Sequence, residues 1–257
     1  MSVWLIPLFA ITAIVYASVG FGGGSTYTAI LALAETDHRV LPLVSLTCNL
    51  VVTAGSVWHF RRKGLYQGSK LVPILSLSVP ASFLGGITPI SADLFFGLLG
   101  ILLLVAGTNL LLESATRSQS ETVERREHPG IFLPGGVGLV IGYLSGLVGI
   151  GGGIFLAPLL HLLRWDSPKR IAAIASAYIA ANSCAAFLGK LIALKSVSLA
   201  TDTLSYWPLV LAVAAGGAIG RRLMTGTFPE RAVKLGTAVL ILLVAGRILL
   251  NWWSTHA

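Results

Sequence analysis

Charge is scarce in this chain. Of 257 residues, 18 are Lys or Arg and 10 are Asp or Glu, so only 11% are charged; an ordinary soluble domain carries about a quarter. That scarcity excludes a water-soluble globular protein, and no hydrophilic block is long enough to form a separate soluble domain. Cysteine is scarce as well. Cys48 and Cys184 lie inside apolar stretches without metal-ligand spacing and read as small core residues. No pair of acidic residues falls inside an apolar segment, which removes an intramembrane aspartyl protease and any obvious proton relay. Gly142-Tyr143-Leu144-Ser145-Gly146 lacks the glycine two before the serine expected of an intramembrane serine protease. Met1 opens an apolar stretch with neither a basic lead nor a small-residue cleavage site, so no removable signal peptide is expected. No enzymatic chemistry, metal or cofactor is expected.

What is abundant is apolar sequence, 55% of the residues. It falls into segments 3–34, 41–60, 71–90, 94–112, 131–163, 171–194, 204–224 and 232–253. Their length and the need to satisfy the backbone inside lipid predict an all-α integral membrane protein. The net charge of +8 comes from basic residues in short loops between these segments. There they orient spans in the bilayer, and no nucleic-acid partner is expected.

The two longest segments each contain a glycine string, Val19-Gly20-Phe21-Gly22-Gly23-Gly24-Ser25 and Val148-Gly149-Ile150-Gly151-Gly152-Gly153-Ile154. Gly24 and Gly153 are offset by 129 residues. Leu103-Leu104-Val105-Ala106-Gly107 and Leu242-Leu243-Val244-Ala245-Gly246 match at 139, and Leu84-Gly85 and Ile219-Gly220 at 135. An offset that drifts in this way is the mark of a duplication with small loop insertions. The expected organisation is a first repeat over 1–113, a cytoplasmic linker over 114–130 and a second repeat over 131–257. Each repeat would be a Gly-broken helical hairpin followed by three transmembrane helices.

Basic residues choose between topologies. If both long segments cross straight through, Lys and Arg split ten to eight between the two sides; if both fold back at their glycines, the split is fourteen to four. Cytoplasmic loops carry the excess of Lys and Arg, so the folded-back arrangement is expected, with inverted repeats and both termini outside the cytoplasm. Arms that each crossed fully would give the same parity, so the number of crossings stays open.

After each string only about ten residues remain, a helix of about 15 Å, half the apolar core of a bilayer. Such a half-helix starts with unbonded N–H groups and a partial positive charge. Two of them approaching from opposite faces would make a site for a small anion with no buried Lys or Arg. The candidate substrate-binding residues are Gly22, Gly23, Gly24, Gly151, Gly152 and Gly153, with Ser25 and Thr26 as hydroxyl donors. The other reading of the glycines is close helix packing. There is no Gly-Lys-Ser/Thr ending for a phosphate loop, and neither string follows a strand. Asn49 and Asn182, offset by 133 residues, read as repeat equivalents. Each contacts either substrate and hairpin tip or a neighbouring helix. His59 and His161 read as interfacial or helix-end residues, and Trp207, Trp252 and Trp253 as interfacial anchors.

Two halves, each with a Gly-x-Gly-Gly-Gly string in its first apolar segment, resemble the TauE/SafE sulfite-exporter family of membrane permeases. The second copy, followed by Pro158 and Leu159, fits that pattern well. The resemblance covers essentially the whole chain. It implies a multi-pass inner-membrane transporter exporting a small sulfur-containing anion, such as sulfite or an organosulfonate like sulfoacetate, by alternating access. The six string glycines would line the path. The halves are not identical: Ala29 stands where the second half has Pro158, and Ser25-Thr26-Tyr27-Thr28 where it has Ile154-Phe155-Leu156-Ala157. The anion would therefore be held mainly by the first hairpin. The alternatives are a passive anion channel and a non-transporting membrane scaffold.

Overall fold

A computed structural model of the chain describes residues 3–115, 132–163, 165–194, 202–223 and 230–256. Apart from the end of one helix, the expected linker 114–130 lies outside these residues, as does the side chain of His161. The described residues form helices α1 (Leu5–Val19), α2 (Gly24–Leu33), α3 (Leu41–Arg62), α4 (Gly68–Ile87), α5 (Ala92–Ala115), α6 (Phe132–Val148), α7 (Gly153–Leu162), α8 (Pro168–Ala193), α9 (Trp207–Arg222) and α10 (Glu230–His256). Helices α3, α4, α5, α8, α9 (with the turn before it) and α10 are long and apolar enough to cross a membrane. The two longest apolar segments are each divided in two at the glycine string.

Close contacts fix the relative directions of the helices. Gly138, Gly142 and Gly146 on α6 face Ile74, Ser78 and Ser82 on α4, so these two helices run parallel. Each glycine occurs once per turn, and without side chains there the backbones approach closely; this is how helices associate in lipid, where no hydrophobic effect separates helix from solvent. Ser82 and Asn182 bring α8 parallel to α4 as well, since Tyr66 before α4 bonds Ser176 at 3.0 Å and Ser82 Oγ donates to the Asn182 carbonyl at 2.9 Å. On the other side, Gly216 and Gly220 of α9 lie on Ala10 and Ile14 of α1, and those two helices are also parallel. Arg221 and Gly217 of α9 meet Gly55 and Val52, which sets α3 parallel to α9. Helices α5 and α10 pair in opposite directions, with Gly97, Gly100 and Gly107 against Trp252, Leu249 and Leu242.

The interior holds two apolar clusters. The larger joins α1, α2, α3, α5, α9 and α10 around Phe9, Tyr27, Leu41, Phe95 and Val213; the smaller joins α4, α7 and α8 around Leu160, Ile174 and Tyr178. Large apolar side chains such as Leu84, Ile101, Leu211, Leu243 and Leu250 point outward, as lipid contact demands. One expectation is corrected here, that of Cys184 as a core residue. Cys184 is exposed on the outer face of α8, whereas Cys48 is buried. Trp252 packs onto α5 at Gly97, while Trp207 and Trp253 are exposed at helix ends. In both cases an apolar residue suits lipid and protein equally, so composition does not choose its side.

Candidate functional site

Both broken helices end in the same way. Gly20, at φ 89°, caps α1 in the left-handed region; its N–H bonds the Ala17 and Tyr16 carbonyls, and the Phe21 N–H bonds the Tyr16 carbonyl at 2.9 Å. In the second half Gly149, at φ 81°, and Ile150 both donate to the Ser145 carbonyl, at 2.8 and 3.1 Å. This closure satisfies the orphan carbonyls of a helix end, and its left-handed residue is where glycine is favoured. The next helix starts from a further left-handed glycine, Gly23 at φ 86° or Gly152 at φ 73°, the latter preceded by left-handed Gly151 at φ 80°.

The chain then turns back. Gly24 lies against Asn49 and Thr28 against Ser45, so α2 runs antiparallel to α3. At the start of α2 the Tyr27 N–H bonds the Gly23 carbonyl at 3.0 Å, and at the start of α7 the Phe155 and Leu156 N–H groups bond the Gly152 carbonyl. The amides of Ser25 and Thr26, and of Gly153 and Ile154, then have no carbonyl within their own helices to bond.

Asn49 joins the two halves. Its Oδ1 accepts from the Gly24 N–H at 3.1 Å, and its Nδ2 donates to Ser183 Oγ on α8 at 2.8 Å. The strings themselves touch. A Cβ on Gly24 would strike the Ile150 carbonyl, one on Gly22 would strike Asn49, and one on Gly151 would meet Asn49 and Ser183. Thr28 Oγ1 shares a hydrogen bond with Ser45 Oγ at 2.8 Å and donates to the Gly24 carbonyl at 2.8 Å. All of these groups are buried.

Beside this junction lies a cavity of about 70 Å³. A single water needs about 10–15 Å³ by the same measure, so a small oxyanion fits. Its polar wall is built by Tyr16, Ser25, Asn49, Thr237 and the glycines Gly22, Gly23, Gly24 and Gly153; its apolar wall includes Phe21, Leu110, Ile154, Pro158 and Ile179. The Tyr16 hydroxyl lies 2.7 Å from Thr26 Oγ1. No charged side chain among the described residues lines the cavity.

The sequence-predicted residues divide accordingly. Gly22, Gly23, Gly24, Ser25, Asn49 and Gly153 line the cavity, Thr26 braces it through Tyr16, and Gly151 and Gly152 stand behind it. Asn182 lies elsewhere: its Nδ2 donates to Ser78 Oγ at 3.2 Å and to the Tyr178 carbonyl at 2.9 Å, and its Oδ1 is buried without a partner. Ile179, not Asn182, packs against Gly153 as Asn49 packs against Gly24, so the expected equivalence of the two asparagines does not hold in space. Tyr16 and Thr237 were not anticipated. Tyr16 stands one turn before the first string, a signal available in the sequence, whereas Thr237 reaches the site only because α10 packs on α2.

Residues 5–248 match the family described as Sulfite exporter TauE/SafE. The chain is 32% identical over 244 residues to "Probable membrane transporter protein y4hK" of Sinorhizobium fredii, covering 95% of this chain and 96% of that protein. No solved structure matches it.

Proposed function

This chain belongs to the sulfite exporter TauE/SafE family of membrane transporters, and from that premise we propose that it exports a small sulfur-containing anion, sulfite or an organosulfonate such as sulfoacetate. The observation that carries this reading is the convergence of two glycine-started helices and a wall of hydroxyls on one cavity without a fixed cation. Helix starts, amides and hydroxyls replace the anion's water shell without holding it as a salt bridge would. Binding must be favourable enough to admit the anion and weak enough to release it. Most of the polar wall, Tyr16, Gly22, Gly23, Gly24 and Ser25, comes from the first hairpin, in keeping with the run from Ser25 to Thr28.

Alternating access is the proposed mechanism, carried by two inverted repeats, 1–113 and 131–257. Helix directions support the inversion. Because α4 follows α3 through a short turn, it runs against α3, α1 and α9; α6 and α8 follow α4. Helices α1, α3, α4 and α5 are then opposed to α6, α8, α9 and α10, as inverted-repeat transporters require. The proposed location is the inner membrane, with both termini outside and the four basic loops in the cytoplasm.

The test is a thermal-stability panel of sulfite, thiosulfate, sulfate, sulfoacetate and taurine on the detergent-purified protein, followed by efflux of the responding anion from loaded vesicles. A ligand that binds the folded state must raise its stability. Stabilisation by sulfite or a sulfonate together with carrier-like efflux is expected. No response to any anion, or unitary currents in planar bilayers, refutes the exporter.

A further inference from the structure

No charged side chain among the described residues lines the cavity between the strings, but a cation stands farther along α3. At the end of α9, Arg221 turns inward and lays its guanidinium across the backbone of α3 at Gly55, where a Cβ would collide with it. Gly217, one turn earlier on α9, leaves Nη1 room: a Cβ there would sit 3.3 Å from it. Several other arginines are neutralised or stacked. Arg39 pairs with Asp37 and Arg170 with Asp166, and Arg62 lies 4.0 Å over the Trp58 ring. Half-buried Arg221 pairs with no carboxylate among the described residues. One turn further along α3 stands His59, whose buried Nε2 has no hydrogen-bond partner among the described residues and which lies within electrostatic reach of Arg221 and Lys63.

A guanidinium offers five donors in a planar fork suited to an oxyanion. Removing it partly from water without a counter-charge is unfavourable. The glycines at 55 and 217 allow it to lie there, and an oxyanion would supply both a counter-charge for the guanidinium and an acceptor for the neighbouring imidazole N–H. We propose that Arg221 and His59, at the crossing of α3 and α9, form an oxyanion-binding site separate from the cavity between the strings.

Gly55 follows Asn49 by six residues, roughly 9 Å along α3. An anion held here would wait about two helical turns from the neutral cavity. The same chemistry describes two sources, the transported anion and the phosphate of an anionic lipid, and the experiment separates them. The proposal does not depend on the exporter reading, because it is tested by binding.

The full chain is placed in nanodiscs of phosphatidylcholine alone and in discs that also contain phosphatidylglycerol. Its thermal midpoint is followed while sulfite is titrated, for the wild type, Arg221→Gln, Arg221→Lys and Gly55→Leu. Losing a charge-assisted hydrogen bond weakens binding about ten-fold. Arg221→Gln is therefore expected to raise the half-saturating sulfite concentration about ten-fold, or to abolish stabilisation by phosphatidylglycerol. Gly55→Leu keeps the charge but displaces it, and is expected to match Arg221→Gln. A response confined to sulfite identifies a capture site for the transported anion, and one confined to phosphatidylglycerol identifies a lipid site. Equal behaviour of wild type and Arg221→Gln in both arms overturns the proposal. If Gly55→Leu does not fold, the comparison of Gln with Lys at 221 decides, and Lys must bind better than Gln.

Discussion

Replacing Asn49 by leucine tests the junction directly. The side chains are of similar size, so packing against Gly22, Gly24 and Gly151 is largely kept while both hydrogen bonds disappear. The Gly24 N–H is left buried with no acceptor from Asn49, a loss of about 1–3 kcal/mol. The Asn49–Ser183 bond crosses between helices inside the membrane, where such bonds average about 0.6 kcal/mol. The Ser183 hydroxyl can turn to a carbonyl of its own helix, so little is added beyond that. The variant is therefore expected to lose about 2–3 kcal/mol, measured by unfolding the purified protein in mixed micelles with increasing dodecyl sulfate. Asn182→Leu is the control. It removes two bonds from Nδ2 but also removes an oxygen already buried without a partner, and it is expected to stay within about 1 kcal/mol of wild type. If Asn49→Leu unfolds with the wild type, or if the order of the two variants is reversed, Asn49 does not hold the halves together.

Three further outcomes follow from the geometry. Gly23→Val and Gly152→Val place a β-branched residue at φ 86° and 73°, where each costs at least about 1–2 kcal/mol; both are expected to insert in the membrane and to lose transport, and normal sulfite efflux from either would remove the strings from the path. A cavity lined without charge opposes a dianion far more than a monoanion, because the cost of desolvating an ion grows with the square of its charge; methanesulfonate is expected to stabilise the protein at lower concentration than sulfate, and the opposite order sinks the neutral-site argument. Finally, burial alone would raise the Asp166 carboxyl, but the Lys70 ammonium at 2.7 Å and the Ser167 amide outweigh it and hold it below the ordinary carboxylate range. Its stabilising effect is present above the unfolded value of about 3.9 and is lost as pH falls through the lower folded value; below about pH 4 the wild type should lose its advantage over Asp166→Asn in a melting series, and a gap that persists would remove this pair as the cause.

Length and composition were enough to establish an all-helical membrane protein. The glycine strings were enough to locate both helix breaks, because glycine adopts at little cost the left-handed conformation that closes a helix, as Gly20 and Gly149 do. The strings also carried the family. The neighbours of those breaks were not legible. In a helix that is apolar all round, lipid and protein interior reward the same side chains, so nothing in the pattern said that Cys184 and Trp252 would take opposite sides, one facing out and the other packed inward. Two asparagines looked equivalent along the chain, yet only Asn49 reaches the strings, because at the crossing of α3 and α8 the second half presents Ile179 instead. The meeting of Tyr16 and Thr237, 221 residues apart in sequence, on one cavity wall and of Arg221 with Gly55 exists only once distant helices cross. Local backbone chemistry determined where this chain bends; the close approach of glycine-bearing helices decided which polar groups meet there.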